Sequence, residues 1–170
     1  MKLIDSNFVP PGKRLFRRIL DRLFAYETMS GRECPVYLER WTVGEAFGCG
    51  IYLHHFLGDD WAIDPHDHPR RFISIGLKGW YLEDVFRPVV DEEFGQSIPV
   101  TELESTTRYD APWVRSFPAE HLHRVRAAEC GDCWTLVIVL RKTRRWGFVK
   151  DGVWVAFKDY VFGGQSRKAC

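Results

Sequence analysis

The chain has 170 residues, 45% hydrophobic and 15% aromatic, with 24 Lys and Arg against 23 Asp and Glu. That length and apolar fraction describe one packed domain, able to bury roughly 70% of its unfolded surface, and exclude a chain that needs a metal or disulfide merely to fold. A formal charge of +1 excludes the basic excess of a nucleic-acid-binding domain, and no apolar run approaches the roughly 18 residues of a spanning helix, so neither nucleic acid nor a membrane is expected as a partner.

The N-terminus shows no apolar secretory core of roughly 7 to 15 residues, which makes a cytoplasmic location the expectation. Five cysteines, Cys34, Cys49, Cys130, Cys133 and Cys170, form an odd set without framework spacing, suited to a reducing compartment. Cys130-Gly-Asp-Cys133 is a lone CxxC, without the second pair of a structural zinc site, and reads as two thiols beside a strand turn. After Pro10, Pro11 and Gly12, residues 13–24 place Leu15, Phe16, Ile19, Leu20, Leu23 and Phe24 on one helical face and Lys13, Arg14, Arg17, Arg18 and Arg22 on the other. Such a helix is expected to pack its apolar face on the domain. From about residue 35 the pattern changes to short β-rich runs, from PVYLERWTV to GVWVAFKDYV, separated by Gly, Pro and Asp turns, as in an all-β sandwich or barrel. The expected division is an N-terminal extension with helix over 1–34, a β-barrel over 35–165 and a tail over 166–170. Residues 83–104 carry seven carboxylates and one basic residue, Arg87, and read as a solvated excursion between strands.

The six histidines fall in three pairs, His54/His55, His66/His68 and His121/His123. Residues i and i+2 of a strand share a face, so His66 and His68 project together while Asp67 points away, and His121 and His123 do likewise. Two such platforms from two β-runs supply three or four imidazoles for Fe, Mn, Co, Ni, Cu or Zn. Adjacent His54 and His55 face opposite ways, and both are read as structural.

These motifs resemble the cupin superfamily, small jelly-roll barrels with an interior metal. The first cupin motif is matched by the spacing of His66, His68 and Gly79, with Phe72 in the position of the usual Glu. The second is matched from Pro118 to His123, with Glu120 in the Gly position and Ala127 in the Asn position. Stretches such as HDHPRRFISIGLKGWYLE and HLHRV are similar to small cupin-type proteins of bacteria and their phages. The resemblance implies an all-β double-stranded β-helix with an N-terminal amphipathic helix, and His66, His68 and His123 as ligands of a divalent ion. With the carboxylate missing, it implies a three-His site like that of thiol dioxygenase relatives, with iron first and Zn, Mn, Ni or Cu as alternatives. A homodimer is also implied.

The function expected is a metal-dependent enzyme, an Fe(II)-type dioxygenase acting on a small molecule. The alternatives are a sugar or keto-acid isomerase or epimerase, and a non-catalytic ligand-binding barrel. His121 is the candidate general base, Arg70 and Phe72 are the candidate substrate contacts, and Asp64 is an alternative carboxylate. Arg124 and Arg126 fall on the face opposite His123 and read as surface or subunit-contact residues.

Overall fold

The structure, a computed structural model, describes residues 11–31, 34–93 and 96–168, with the side chains of 11–14 and 91–98 left aside. The N-terminal stretch read for a secretory signal, Pro10 and Cys170 lie outside the described residues. The elements run α1 (Pro11–Leu23), β1 (Ala25–Ser30), β2 (Val36–Ala46), β3 (Cys49–Phe56), β4 (Phe72–Lys78), β5 (Trp80–Glu93), β6 (Gln96–Asp110), β7 (Trp113–Phe117), β8 (His123–Arg126), β9 (Cys133–Val139), β10 (Gly147–Lys150), β11 (Val153–Ala156) and α2 (Phe157–Phe162).

One antiparallel sheet has the order β1-β2-β3-β9-β4-β7. The other is β6-β5-β8 with the β10–β11 hairpin beside it, and single-residue bridges from His66 to His123 and to Phe148 join the two pieces. From β4 onward the chain crosses repeatedly between these sheets, β4 and β7 and β9 in the first, β5 and β8 and β10 in the second. That alternation is a jelly roll, the double-stranded β-helix expected. Strand β1 adds an edge to the first sheet in the stretch read as an extension. The end of the GVWVAFKDYV run, read as strand, is helix α2: Tyr160 is fully buried there, stacked 4.0 Å from Phe148, and its hydroxyl donates to Asp64.

Strand parity sorts the first sheet into two faces. Cys133, Thr135 and Val137 of β9 point inward and are buried. Trp134 points outward, stacks on Trp41 and His55 and meets Phe16 of α1 edge-on. Trp41 is fully buried and its indole donates to Asp21 of the same helix. Helix α1 therefore covers the outer face as expected, but only in part, because Leu20 is buried whereas Leu15, Ile19 and Leu23 remain exposed. Gly76 of β4 is dictated by contact, since a Cβ there would sit 2.2 Å from the ring of Trp113.

The acidic excursion over 83–104 is a correction. It is not a loop but the far part of β5 and the near part of β6, which pair in one long ribbon. Pro88 and Pro99 hid it from a reading of strand propensity. Both are tolerated because β5 pairs with β8 only over Leu82–Val85 and β6 is an edge strand, so a missing N–H breaks no second ladder. Arg124 and Arg126 are likewise more than surface groups: both bond the buried carboxylate of Asp84, which also accepts from Thr106. Burial raises the pKa of Asp84, and these three donors outweigh it and hold the carboxyl below its ordinary value.

Because Asp84 is 2% exposed and its arginines only half-buried, Asp84→Asn is expected to cost about 2 kcal/mol at pH 7, less than a fully buried pair. A carboxyl with a depressed folded pKa stabilises above its unfolded value and loses that contribution as pH falls. Urea denaturation should therefore show the gap between wild type and variant narrowing as pH drops below the ordinary value of 3.8.

Candidate metal centre

The segment around His66 is a single-residue strand held on both sides. His66 exchanges backbone hydrogen bonds with His123, N to O at 2.9 Å and O to N at 3.1 Å. The Asp67 amide donates to Gly147 and the His68 amide to Ala119. The expected alternation holds: Asp67 turns away from the imidazoles, accepting from Gly147 N and Trp154 Nε1 and pairing with Arg144. Three fixed partners on that side leave His66 and His68 to face the barrel interior.

There the two rings meet His123. The nitrogens that His66, His68 and His123 offer all lie within 4.8 Å of one another, and Nε2 of His68 is 2.8 Å from Nε2 of His123. Burial, and then the proximity of the other imidazoles, His123 first, push the pKa of His66 and His68 well below the ordinary histidine value, so both rings keep a lone pair at neutral pH. Asp60 Oδ2 stands 3.7 Å from His66 Nδ1 and accepts from the Val125 amide; its burial raises its pKa to about 6.

Glu83 was read as part of a wet acidic face, and the structure overturns that. It has no exposed surface. Its Oε1 accepts from His123 Nδ1 at 2.6 Å and from His121 Nε2 at 2.9 Å, and its Oε2 accepts from Arg115 at 2.5 Å. Burial alone would raise the pKa of Glu83, but the donors from His121, His123 and Arg115 outweigh it and keep the group ionised. A carboxylate fixed against Nδ1 makes that nitrogen the protonated one, so the lone pair of His123 lies on Nε2, toward His68.

The donor set fits a divalent ion. Two imidazole nitrogens bound at about 2.1 Å would stand roughly 3.0 Å apart at an octahedral right angle and roughly 3.4 Å apart at a tetrahedral angle. The observed 2.8 Å is nearer the first. Glu83, His121 and His123 form a second close trio, but its carboxylate oxygen already accepts from both rings, which makes Glu83 an orienting group rather than a ligand.

The three imidazoles form part of the wall of a cavity of about 670 Å³ that fills the barrel. Phe72, 4.6 Å from His68 and stacked on Phe117, lies on the same wall, as does Arg70, whose guanidinium donates to the Gly48 carbonyl. His121 is not among the lining residues, and its Nε2 is committed to Glu83. Asp64 pairs with Arg167 and Tyr160, away from the imidazoles. His54, read as structural, faces the cavity, while His55 lies outside against Trp134 and Glu39. The signal for Glu83 was present in its parity with Tyr81 and Val85, but the acidic run beyond it obscured it.

No protein-family model matches the chain, and no curated protein does. Among solved structures the chain is similar to a cupin-2 domain from Rhodospirillum rubrum, at 11% identity over 85% of this chain and 80% of that one, with a TM-score of 0.49. It is also similar to a sugar phosphate isomerase of the cupin superfamily from Silicibacter pomeroyi, at 13% identity over 74% and 76%, TM-score 0.49. A third similar structure is a double-stranded β-helix protein from Klebsiella pneumoniae, at 12% identity over 77% and 94%, TM-score 0.44.

If Glu83 orients His123, Glu83→Gln should fold yet bind Co(II) about 10- to 100-fold more weakly in competition with a chromophoric chelator. Unchanged affinity would remove that role from Glu83.

Proposed function

We propose that this protein is a metal-dependent enzyme that holds a divalent ion on His66, His68 and His123 and acts on a small molecule inside the barrel. The observation that carries this reading is the convergence of three lone-pair-bearing imidazoles on the wall of a large cavity, with the tautomer of one fixed by a buried carboxylate. Three neutral ligands leave the remaining positions of an octahedral ion to substrate and solvent. A bound ion would supply Lewis-acid activation of a substrate oxygen, and iron would add electron transfer to dioxygen. Iron and a dioxygenase reaction are the specific form we favour, because a site without an anionic ligand is suited to a chelating, negatively charged substrate.

The chain's own residues have separable tasks. His66 and His68 are locked by the backbone bonds on either side of Asp67. His123 is locked by Glu83. His121 is a positioning residue in this reading, since it shares Glu83 with His123 and lies off the cavity wall, and Arg115 is the third clamp on the same carboxylate. Phe72 dries the region beside His68, where a carboxylate would otherwise compete with substrate.

The test is elemental analysis of protein purified without added metal, together with His66→Ala and His123→Ala, followed by dioxygen uptake with small thiols, diols and dicarbonyls. The reading predicts about one iron per chain, loss of at least 90% of it in either variant, and substrate-dependent oxygen consumption. Wild type and variants with equal, substoichiometric metal would contradict metal binding. Metal retention with turnover that proceeds without dioxygen would replace the dioxygenase by an isomerase.

A further inference from the structure

The cavity wall contains a polar row that the metal reading does not use. Arg40 of β2, His54 of β3 and Thr135 of β9 are register partners across three adjacent strands, all facing inward. Directly paired residues stand with Cβ atoms roughly 5 Å apart, so one ligand group can touch two of them. His54 Nε2 and Thr135 Oγ1 are both buried without a hydrogen-bond partner, and Thr135 is 1% exposed. Unpaired buried polar atoms cost about 1–3 kcal/mol each. Valine has the shape of threonine and would fill this strand position without that cost, so packing does not explain the hydroxyl.

The chemistry of the two atoms selects the group that would meet them. Burial, and then the charge of Arg40, lower the His54 pKa to about 3, so the ring is neutral and its Nε2 either donates or accepts. Threonine does both. A carboxylate can only accept and an ammonium can only donate, whereas an alcohol hydroxyl satisfies either tautomer and the threonine together. One row further along β3, Tyr52 marks the charged end of the wall: Arg40 lies 4.9 Å over its ring, and Arg70 is close enough to influence its phenol electrostatically. Arg40 is neutralised by Glu27, and the Tyr52 hydroxyl donates to Glu45. Arg70 has no carboxylate partner among the described residues, and its hydrogen bond to the Gly48 carbonyl uses one guanidinium nitrogen, leaving further N–H donors.

We infer that His54 and Thr135 form a hydroxyl-recognising subsite and that Arg70 receives an anionic group, so the cavity takes a small polyhydroxylated carboxylate. The inference takes the cavity to be the substrate chamber, as above, but none of these three residues is a proposed metal ligand, so the two can fail separately.

The test uses three probes of similar length: gluconate, hexanoate, which lacks the hydroxyls, and sorbitol, which lacks the carboxylate. Each is titrated into the full chain, both metal-stripped and cobalt-loaded, by calorimetry or ligand-observed NMR. Wild type should bind gluconate at least tenfold tighter than either comparator. Thr135→Val should unfold at the same or a higher temperature and lose at least tenfold in gluconate affinity without weakening hexanoate, and Thr135→Ser should restore the preference. Arg70→Met should erase the advantage of gluconate over sorbitol. The inference is overturned if wild type shows no preference for gluconate in either metal state, or if Thr135→Val keeps it. Retention of cobalt by a protein indifferent to gluconate would leave the metal site standing and remove only the subsite.

Discussion

A carboxylate taken wholly out of water costs several kcal/mol unless its lone pairs are met by donors, and the candidate site is organised around meeting those of Glu83. Two imidazoles and a guanidinium converge on it from the His121–His123 stretch and from β7. For Glu83 to receive them, β5 must pair with β8 in the register that sets Glu83 opposite Val125 and Val85 opposite His123. A slip by one residue would turn Glu83 to the outer face and Asp84 inward, breaking the carboxylate–imidazole bonds and the arginine clamp on Asp84 together. The two adjacent carboxylates therefore fix the strand from both sides.

That register passes directly into the site. His123 exchanges backbone bonds with His66, so placing His123 also places the segment that carries His66 and His68. Asp67 completes the arrangement from behind by tying this segment to β10 and β11. The three imidazoles thus share one backbone network although they are far apart in sequence, and each ring's direction follows from a bond made on the side away from the cavity. Such outward anchoring is what a preorganised ligand set requires.

Much of this was legible from residue order. Period-two spacing placed both His-x-His pairs, the amphipathic pattern placed α1, and turn residues delimited β2, β3, β7 and β9. The rest depended on pairings between strands distant in sequence. Glu83 looked like the first of a run of exposed acids because its burial is decided by β8, forty residues later. His54 was set aside by correct reasoning about adjacent residues, since one of each pair must face inward, but sequence alone did not show that the inward one borders a chamber. Helix α2 was mistaken for strand because Phe157, Tyr160 and Val161 are β-favouring residues, and its helical form comes from packing Tyr160 onto Phe148 and Asp64.

The central claim is that three histidines, with Glu83 behind one of them, form a single metal centre. X-ray absorption on protein loaded with one equivalent of cobalt tests it most directly, because the ligand shell reports imidazoles and carboxylates separately. The account predicts three imidazole nitrogens at about 2.1 Å with the rest of the shell oxygen from solvent, and the loss of one imidazole in His66→Ala. A shell with two imidazoles and a protein carboxylate, unaltered in His66→Ala, would place the ion on Glu83, His121 and His123 instead and contradict it.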